Sequence, residues 1–153
     1  MASDVPRLLI AVFASPVADV LLRWGPELGF RVQVLDPDPS RGADIGGFAE
    51  VGGDPADADV VVTDHHRDEL GEVLRDALSV GPRWVGVLGN PRHEGPHVAA
   101  LAELGVPSED VARVHRPIGL DIGSKAPAEI ALSVLAGLLA DRNGRSGGFA
   151  HRA

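Results

Sequence analysis

A chain of 153 residues with 14 Lys and Arg against 22 Asp and Glu carries a formal charge of −8. It has the size of one domain and lacks the basic field that draws a protein to nucleic acid. Hydrophobic residues make up 44%, charged residues 24%, and the mean hydropathy is +0.07, a composition of packed globular chains rather than disordered or fibrous ones. Cysteine is absent, which excludes disulfides, thiolate metal centres, iron–sulfur clusters and thiol nucleophiles, so any chemistry must use oxygen, nitrogen or a bound cofactor.

The opening MASDVPRLLIAVFASPVA sets an apolar run before small residues, as a signal peptide does. Asp4 beside a single Arg7 makes a poor n-region, however, and the run over residues 8–14 is short, so it reads as the first strand of a cytoplasmic protein. Residues 16–28 follow as a helix with Val17, Val20, Leu21, Trp24 and Leu28 on one face and Gly29 as its cap. Residues 31–36 alternate as a second strand that stops at the breaker run DPDPS, and residues 48–51 are predicted to be a short third strand. VVVTD over 60–64 is a continuous apolar run suited to a central parallel strand. Residues 68–78 form an amphipathic crossover helix, 84–89 a further buried strand, 96–104 another helix and 111–115 a last strand. A helix over 127–141 closes a single domain of residues 1–141, followed by a Gly- and Ser-containing tail, 142–153, expected to be mobile. The longest apolar stretch, 130–140, falls well short of the roughly 20 residues that span a membrane. Strands alternating with helices predict a three-layer α/β domain of Rossmann-like type, with a mostly parallel sheet and helices on both faces. Its ligands belong beyond the carboxyl ends of the strands, where the strand order switches.

Candidate functional residues fall at that rim. A dinucleotide needs glycines in the first βα turn, so that backbone amides reach the pyrophosphate. Here Phe13, Ser15 and Ala18 stand in the three glycine places, while Asp36 ends strand two where a ribose-binding carboxylate belongs. A literal HExxH, His93 to His97, matches the zinc-hydrolase string. Pro96 suits the first position of a helix and not its interior, which leaves His93 in a loop, off the face that holds His97. His65 and His66 after the fourth predicted strand, His93, and His115 at the end of the last are expected to gather at one rim. GLDIGSK, residues 119–125, lacks the order and spacing of a phosphate loop, yet its glycines running into a helix can offer amides to an anion, helped by Asn90 and Arg92.

VVVTDHHRDEL, RWVGVLGNPRH and above all VARVHRPIGLDIGSKAPAEIALSVLAGLLA give residues 60–139 a more specific character. They resemble the C-terminal Rossmann-like domain of the XdhC/CoxF family, accessory proteins of molybdenum hydroxylases such as xanthine dehydrogenase. The similarity extends, more weakly, back to LLIAVFASPVADVLLRWGPELGFRVQVLDPDP. Where the family usually reads Gly-Ala-Gly-His in the first turn, Phe13-Ala14-Ser15-Pro16 stand, and its frequent Ser-Arg-Arg becomes Asn90-Pro91-Arg92. Relatives carry a separate N-terminal domain to which molybdenum-cofactor handling is largely ascribed. The resemblance therefore implies a stand-alone accessory domain whose ligand is a molybdopterin-type cofactor or NAD(P). Its partner would be a molybdenum hydroxylase, a separate XdhC-type N-terminal-domain protein or a second copy. Mapped on this chain, the implied cofactor-binding residues are Ala14, Ser15, Asp36, Asp64, His65 and Gly89, with Asn90, Arg92, His115, Gly119, Asp121 and Gly123. The rival reading is an NAD(P)-dependent oxidoreductase, and the third a scaffold that retains only dimerisation.

Overall fold

The computed structural model describes residues 6–89, 92 and 95–149. Five strands, β1 (Arg7–Val12), β2 (Phe30–Leu35), β3 (Ala58–Val62), β4 (Trp84–Val87) and β5 (Val114–His115), form one sheet in the order β2-β1-β3-β4-β5, every pairing parallel. The helices are α1 (Pro16–Trp24), α2 (Leu70–Ser79), α3 (Pro96–Glu103), the single turn α4 (Ser108–Val111) and α5 (Pro127–Arg142).

Strand periodicity divides the core in two. Leu8, Ile10 and Val12 point with Val60 and Val62 toward Leu70, Val73, Leu74 and Ala77 of α2 and Leu101 of α3. Leu9, Ala11 and Val61 point the other way, against Val17, Val20 and Leu21 of α1 and Val134, Leu135 and Leu138 of α5. Helices thus cover both faces, as a sheet buried on two sides requires.

Three expectations are corrected. Residues 48–51 do not add a strand. Phe48–Glu50 close a 3₁₀ turn in which the Glu50 carboxylate accepts the Gly46 amide at 3.1 Å, and Phe48 is buried on the α2 side. Glycines on both flanks leave too little side chain to hold an edge strand, and the remaining pairing beyond β2 is one bridge, Leu35 to Ile45. The predicted helix 16–28 ends as an α-helix at Trp24 because Pro26 has no amide to continue it, and a 3₁₀ turn, Gly25–Leu28, carries the chain to Gly29 at φ 81°. The last strand shrinks to two residues, since Pro107 starts the turn α4 with Glu109 and Asp110 at its positive end.

A buried carboxylate just before the VVVTD run fixes the amino end of the sheet. Asp59 on β3 is fully buried and accepts Arg83 Nε at 2.6 Å and Arg142 Nε at 2.9 Å. Arg83 also reaches Asp141 at 2.8 Å, and Arg142 reaches the Asp57 carbonyl at 3.2 Å, so the last turn of α5 is tied to β3 and to the start of β4. Removing one member of a buried pair strands the other charge. Asp59→Asn is expected to cost about 3 kcal/mol, lowering the melting temperature by roughly 10 °C. Asp141→Asn at the exposed partner costs less than about 1 kcal/mol. Thermal melts followed by circular dichroism check both, and equal losses in the two variants would contradict this assignment.

Candidate functional site

The strand order reverses between β1 and β3, so the crevice lies above their carboxyl ends. Its floor is the turn from β1 into α1. Phe13 stands there at φ 74°, a left-handed backbone in which a bulky residue costs on the order of 1–3 kcal/mol, and its ring is fully buried. The Arg67 guanidinium lies over that ring, 4.4 Å from its centre. A cation on an aromatic face returns about 1–2 kcal/mol when partly desolvated, which together with ring burial offsets the backbone strain.

Arg67 holds Asp36 with both arms, at 2.9 and 2.8 Å, and extends to Glu69 at 2.7 Å. Asp36, its side chain wholly buried, also accepts the amides of Ala14 at 3.0 Å and Asp38 at 2.9 Å. Four donors therefore fill its two oxygens, and none of their ordinary lone-pair positions is left for a ribose hydroxyl. Burial alone would raise the Asp36 pKa, but the Arg67 fork and the two amides outweigh it and lower it to about 2. The carboxylates of Asp36 and then Glu69, accepting its hydrogen bonds, raise Arg67 above the ordinary guanidinium value.

Ser15 is likewise occupied. Its hydroxyl accepts the Ala18 amide at 3.1 Å as the N-cap of α1 and pairs with Thr63 Oγ1 at 2.8 Å. Thr63 Oγ1 lies 2.9 and 3.0 Å from the carbonyls of Val12 and Phe13, to which it donates, so Ser15 is the donor toward Thr63. The first turn is closed by its own side chains: Phe13 fills it, Ser15 caps the helix, and Ala14 gives its amide to Asp36.

Past β3, Asp64 Oδ1 accepts the His66 amide at 2.9 Å, and the rings of His65 and His66 are 4.0 Å apart. Burial, with His66 and Arg116 close by, pushes His65 below the usual imidazole range. Gly89 lies against the Arg116 guanidinium, which occupies the space of any β-carbon at that position. Arg92 is exposed, whereas Asn90 lies outside the described residues, as do His93 and Glu94 of the HExxH string. Pro96 opens α3 as expected, and His97 in its first turn is buried, with burial first and then Arg116 lowering its pKa. Among the described residues no three His, Asp or Glu converge on a metal position.

His115 does not join the rim. It pairs in register with Gly86 at mid-height on β4 and stacks on Trp84, rings 5.0 Å apart and 9° from parallel. The two glycines of the 116–126 loop differ. Gly119, at φ 92°, packs so tightly on α5 that a β-carbon would strike Ser133 Oγ, so it shapes the connection. Gly123, at φ 65°, has nothing within 4 Å of that position, and Asp121 beside it is exposed. Of the residues expected to bind, Ala14, Ser15 and Asp36 meet at the closed turn, and Asp64 and His65 stand across the switch point. Arg67 and Thr63, the residues that close the turn, carry no sequence signal beyond following a strand that ends at the same rim.

A wholly parallel sheet in the order 2-1-3-4-5, with helices on both faces and a crevice at the β1/β3 switch point, defines a Rossmann-like domain. Residues 9–138 match the family model of the XdhC Rossmann domain, and the chain belongs to that family. It is 34% identical over 90 residues to the Escherichia coli protein YqeB, a match that covers 59% of this chain and 16% of that one. A crystal structure described as a xanthine dehydrogenase from Bacillus halodurans superposes with a TM-score of 0.69 at 25% identity over 95% of this chain and 48% of the other. The chain thus spans less than half the length of each of these two relatives.

Because the Asp36 pKa falls from 3.8 unfolded to about 2 folded, ionised Asp36, held by Arg67 and two amides, makes the fold about 2 kcal/mol more stable than protonated Asp36 does. The folded value is the lower one, so this stability is fully present above about pH 4 and is lost as the pH falls toward about 2. Urea unfolding at several pH values is expected to show it, with Asp36→Asn losing that part of the acid dependence. A wild-type-minus-variant difference that stays constant across this window would contradict it.

Proposed function

We propose that this XdhC-type domain is a binding module in the maturation of a molybdenum hydroxylase of the xanthine dehydrogenase type. In this reading the carboxyl rim of its sheet contacts a pterin nucleotide or the partner enzyme, and the domain does not transfer hydride with NAD(P). The observation that carries it is the saturation of Asp36 by Arg67, Ala14 and Asp38, which takes up the carboxylate a dinucleotide ribose would use. With α1 capped by Ser15, the phosphate of a ligand is better served elsewhere on the rim.

The loop leading to α5 fits that role. Gly123 leaves open space around a left-handed backbone, Ala126 at the N-cap of α5 provides no side-chain cap, and the exposed Arg92 carries a planar cation that suits phosphate oxygens. A bound molybdopterin-type cofactor would supply the metal chemistry of the hydroxylase, while the residues of this chain hold and orient its phosphate. His65, pushed below the usual imidazole range by burial, and Asp64 follow β3 at the same switch point and are assigned to ligand contact. The module is taken to work in the cytoplasm, beside the hydroxylase or an XdhC-type N-terminal domain, and as a homodimer where two copies meet. No helix among the described residues is long and apolar enough to cross a membrane.

Two measurements test this reading. Pulldown with a molybdenum hydroxylase and binding of a phosphorylated pterin are expected to be positive, with Gly123→Val and Arg92→Ala each weakening pterin binding about tenfold. Titration with NADH and NADPH, read by Trp24 and Trp84 fluorescence, is expected to give no micromolar saturation. Saturation there, with silence toward hydroxylase and pterin, would replace the proposal by the oxidoreductase reading.

A further inference from the structure

At the opposite end of the sheet from the crevice, the amino ends of β4 and β5 flank a half-open pocket of about 240 Å³. Pro82, Arg83, Trp84, Val85, Arg113 and His115 line it. In a chain of net charge −8, every charged residue of this lining is basic. Acids stand behind it: Arg83 is braced by Asp59 at 2.6 Å and Asp141 at 2.8 Å, which fixes its guanidinium in place. Arg113 is held only loosely, with Asp110 at 3.8 Å and both side chains largely in solvent. One cation is therefore preorganised and the other is able to turn toward a ligand.

The aromatic side of the cavity is built by a glycine. A β-carbon on Gly86 would strike the Trp84 ring and meet Ile118 at 2.5 Å, so only glycine lets the indole lie along β4. His115, the cross-strand partner of Gly86, then stacks on that indole at 5.0 Å and 9° while remaining exposed. The result is a flat π surface beside two guanidinium groups, and stacking on such a surface selects planar groups. The volume lies somewhat below the range of about 300–1,000 Å³ that drug-sized ligands occupy, which suits a molecule of one or two rings.

We infer that this cavity binds a small planar anion, an aromatic or heteroaromatic ring bearing a carboxylate. The ring packs against the Trp84–His115 stack and the acid group meets Arg113 and Arg83. This site is independent of the rim and of the function proposed for it.

The experiment is an NMR titration of the whole chain with benzoate, cyclohexanecarboxylate and inorganic phosphate, following the amides of Val85, Arg113 and His115 and the Trp84 indole N–H. Benzoate is expected to give saturable shifts there, with weaker binding of cyclohexanecarboxylate, which is not flat, and of phosphate, which has no ring. Arg113→Gln should bind benzoate about tenfold more weakly, the factor carried by one charge-assisted hydrogen bond. His115→Ala, a change at a second exposed position, should weaken benzoate and narrow its advantage over cyclohexanecarboxylate. Absence of saturation by benzoate, phosphate binding as tightly as benzoate, or unchanged affinity in both variants would overturn the assignment.

Discussion

The bidentate contact between Arg67 and Asp36 organises the functional end of this molecule. It joins three segments that are distant in sequence: the end of β2, the loop between β3 and α2, and, through the Ala14 amide and the Phe13 ring, the turn from β1 into α1. A buried ion pair of this kind is a poor source of net stability, since desolvation consumes much of the Coulombic gain. Its effect is on position. With the carboxylate saturated and the guanidinium lying on Phe13, the first turn is held in one arrangement by the chain's own side chains.

The two ends of the sheet divide the work. At the amino end Asp59, with Arg83 and Arg142, ties β3, the start of β4 and the close of α5 together. At the carboxyl end the corresponding tie is Asp36–Arg67. Loops beyond the ties, residues 64–66 and 116–126, are held by this fixed frame, and such loops are where binding groups are most readily placed. Asp36 thus keeps the strand-end position of a nucleotide-binding carboxylate while serving as structure.

Much of the architecture was legible in the sequence because it rests on period. β-Branched runs such as VVVTD, the three- and four-residue spacing of α1 and α2, and glycine or proline at the joints each have one local solution. Phe48–Val51 misled because a Phe and a Val between glycines look like a strand until Glu50 is seen to close on Gly46. Asp59, just before the VVVTD run, carries no local signal of burial because a carboxylate argues for solvent, and only Arg83 and Arg142, distant in sequence, make its burial tolerable. The expectation that His115 reaches the rim requires a last strand of full length. Two residues of pairing stop it at the level of Gly86, within reach of Trp84. The loss of the first-turn glycines was visible at once, whereas the partner that exploits the loss, Arg67, was not, because nothing local links it to Phe13.

That last pair shows why the departure from a glycine-rich turn is more than the loss of a motif. A side chain at the first glycine place must take a left-handed backbone, an expense with no return if the ring then faces water. Phe13 is instead sealed beneath Arg67, and Arg67 can lie there only because Asp36 and Glu69 neutralise it. Ser15 completes the closure by capping α1 and bonding Thr63, so the helix start no longer needs an external anion. Each substitution is tolerable because the others are present. Restoring a single glycine would leave Arg67 on Asp36 and Ser15 on the helix. The closed turn is therefore a property of the Phe13, Ser15, Asp36, Thr63 and Arg67 set, which is why it has to be read from the assembled rim rather than from the turn alone.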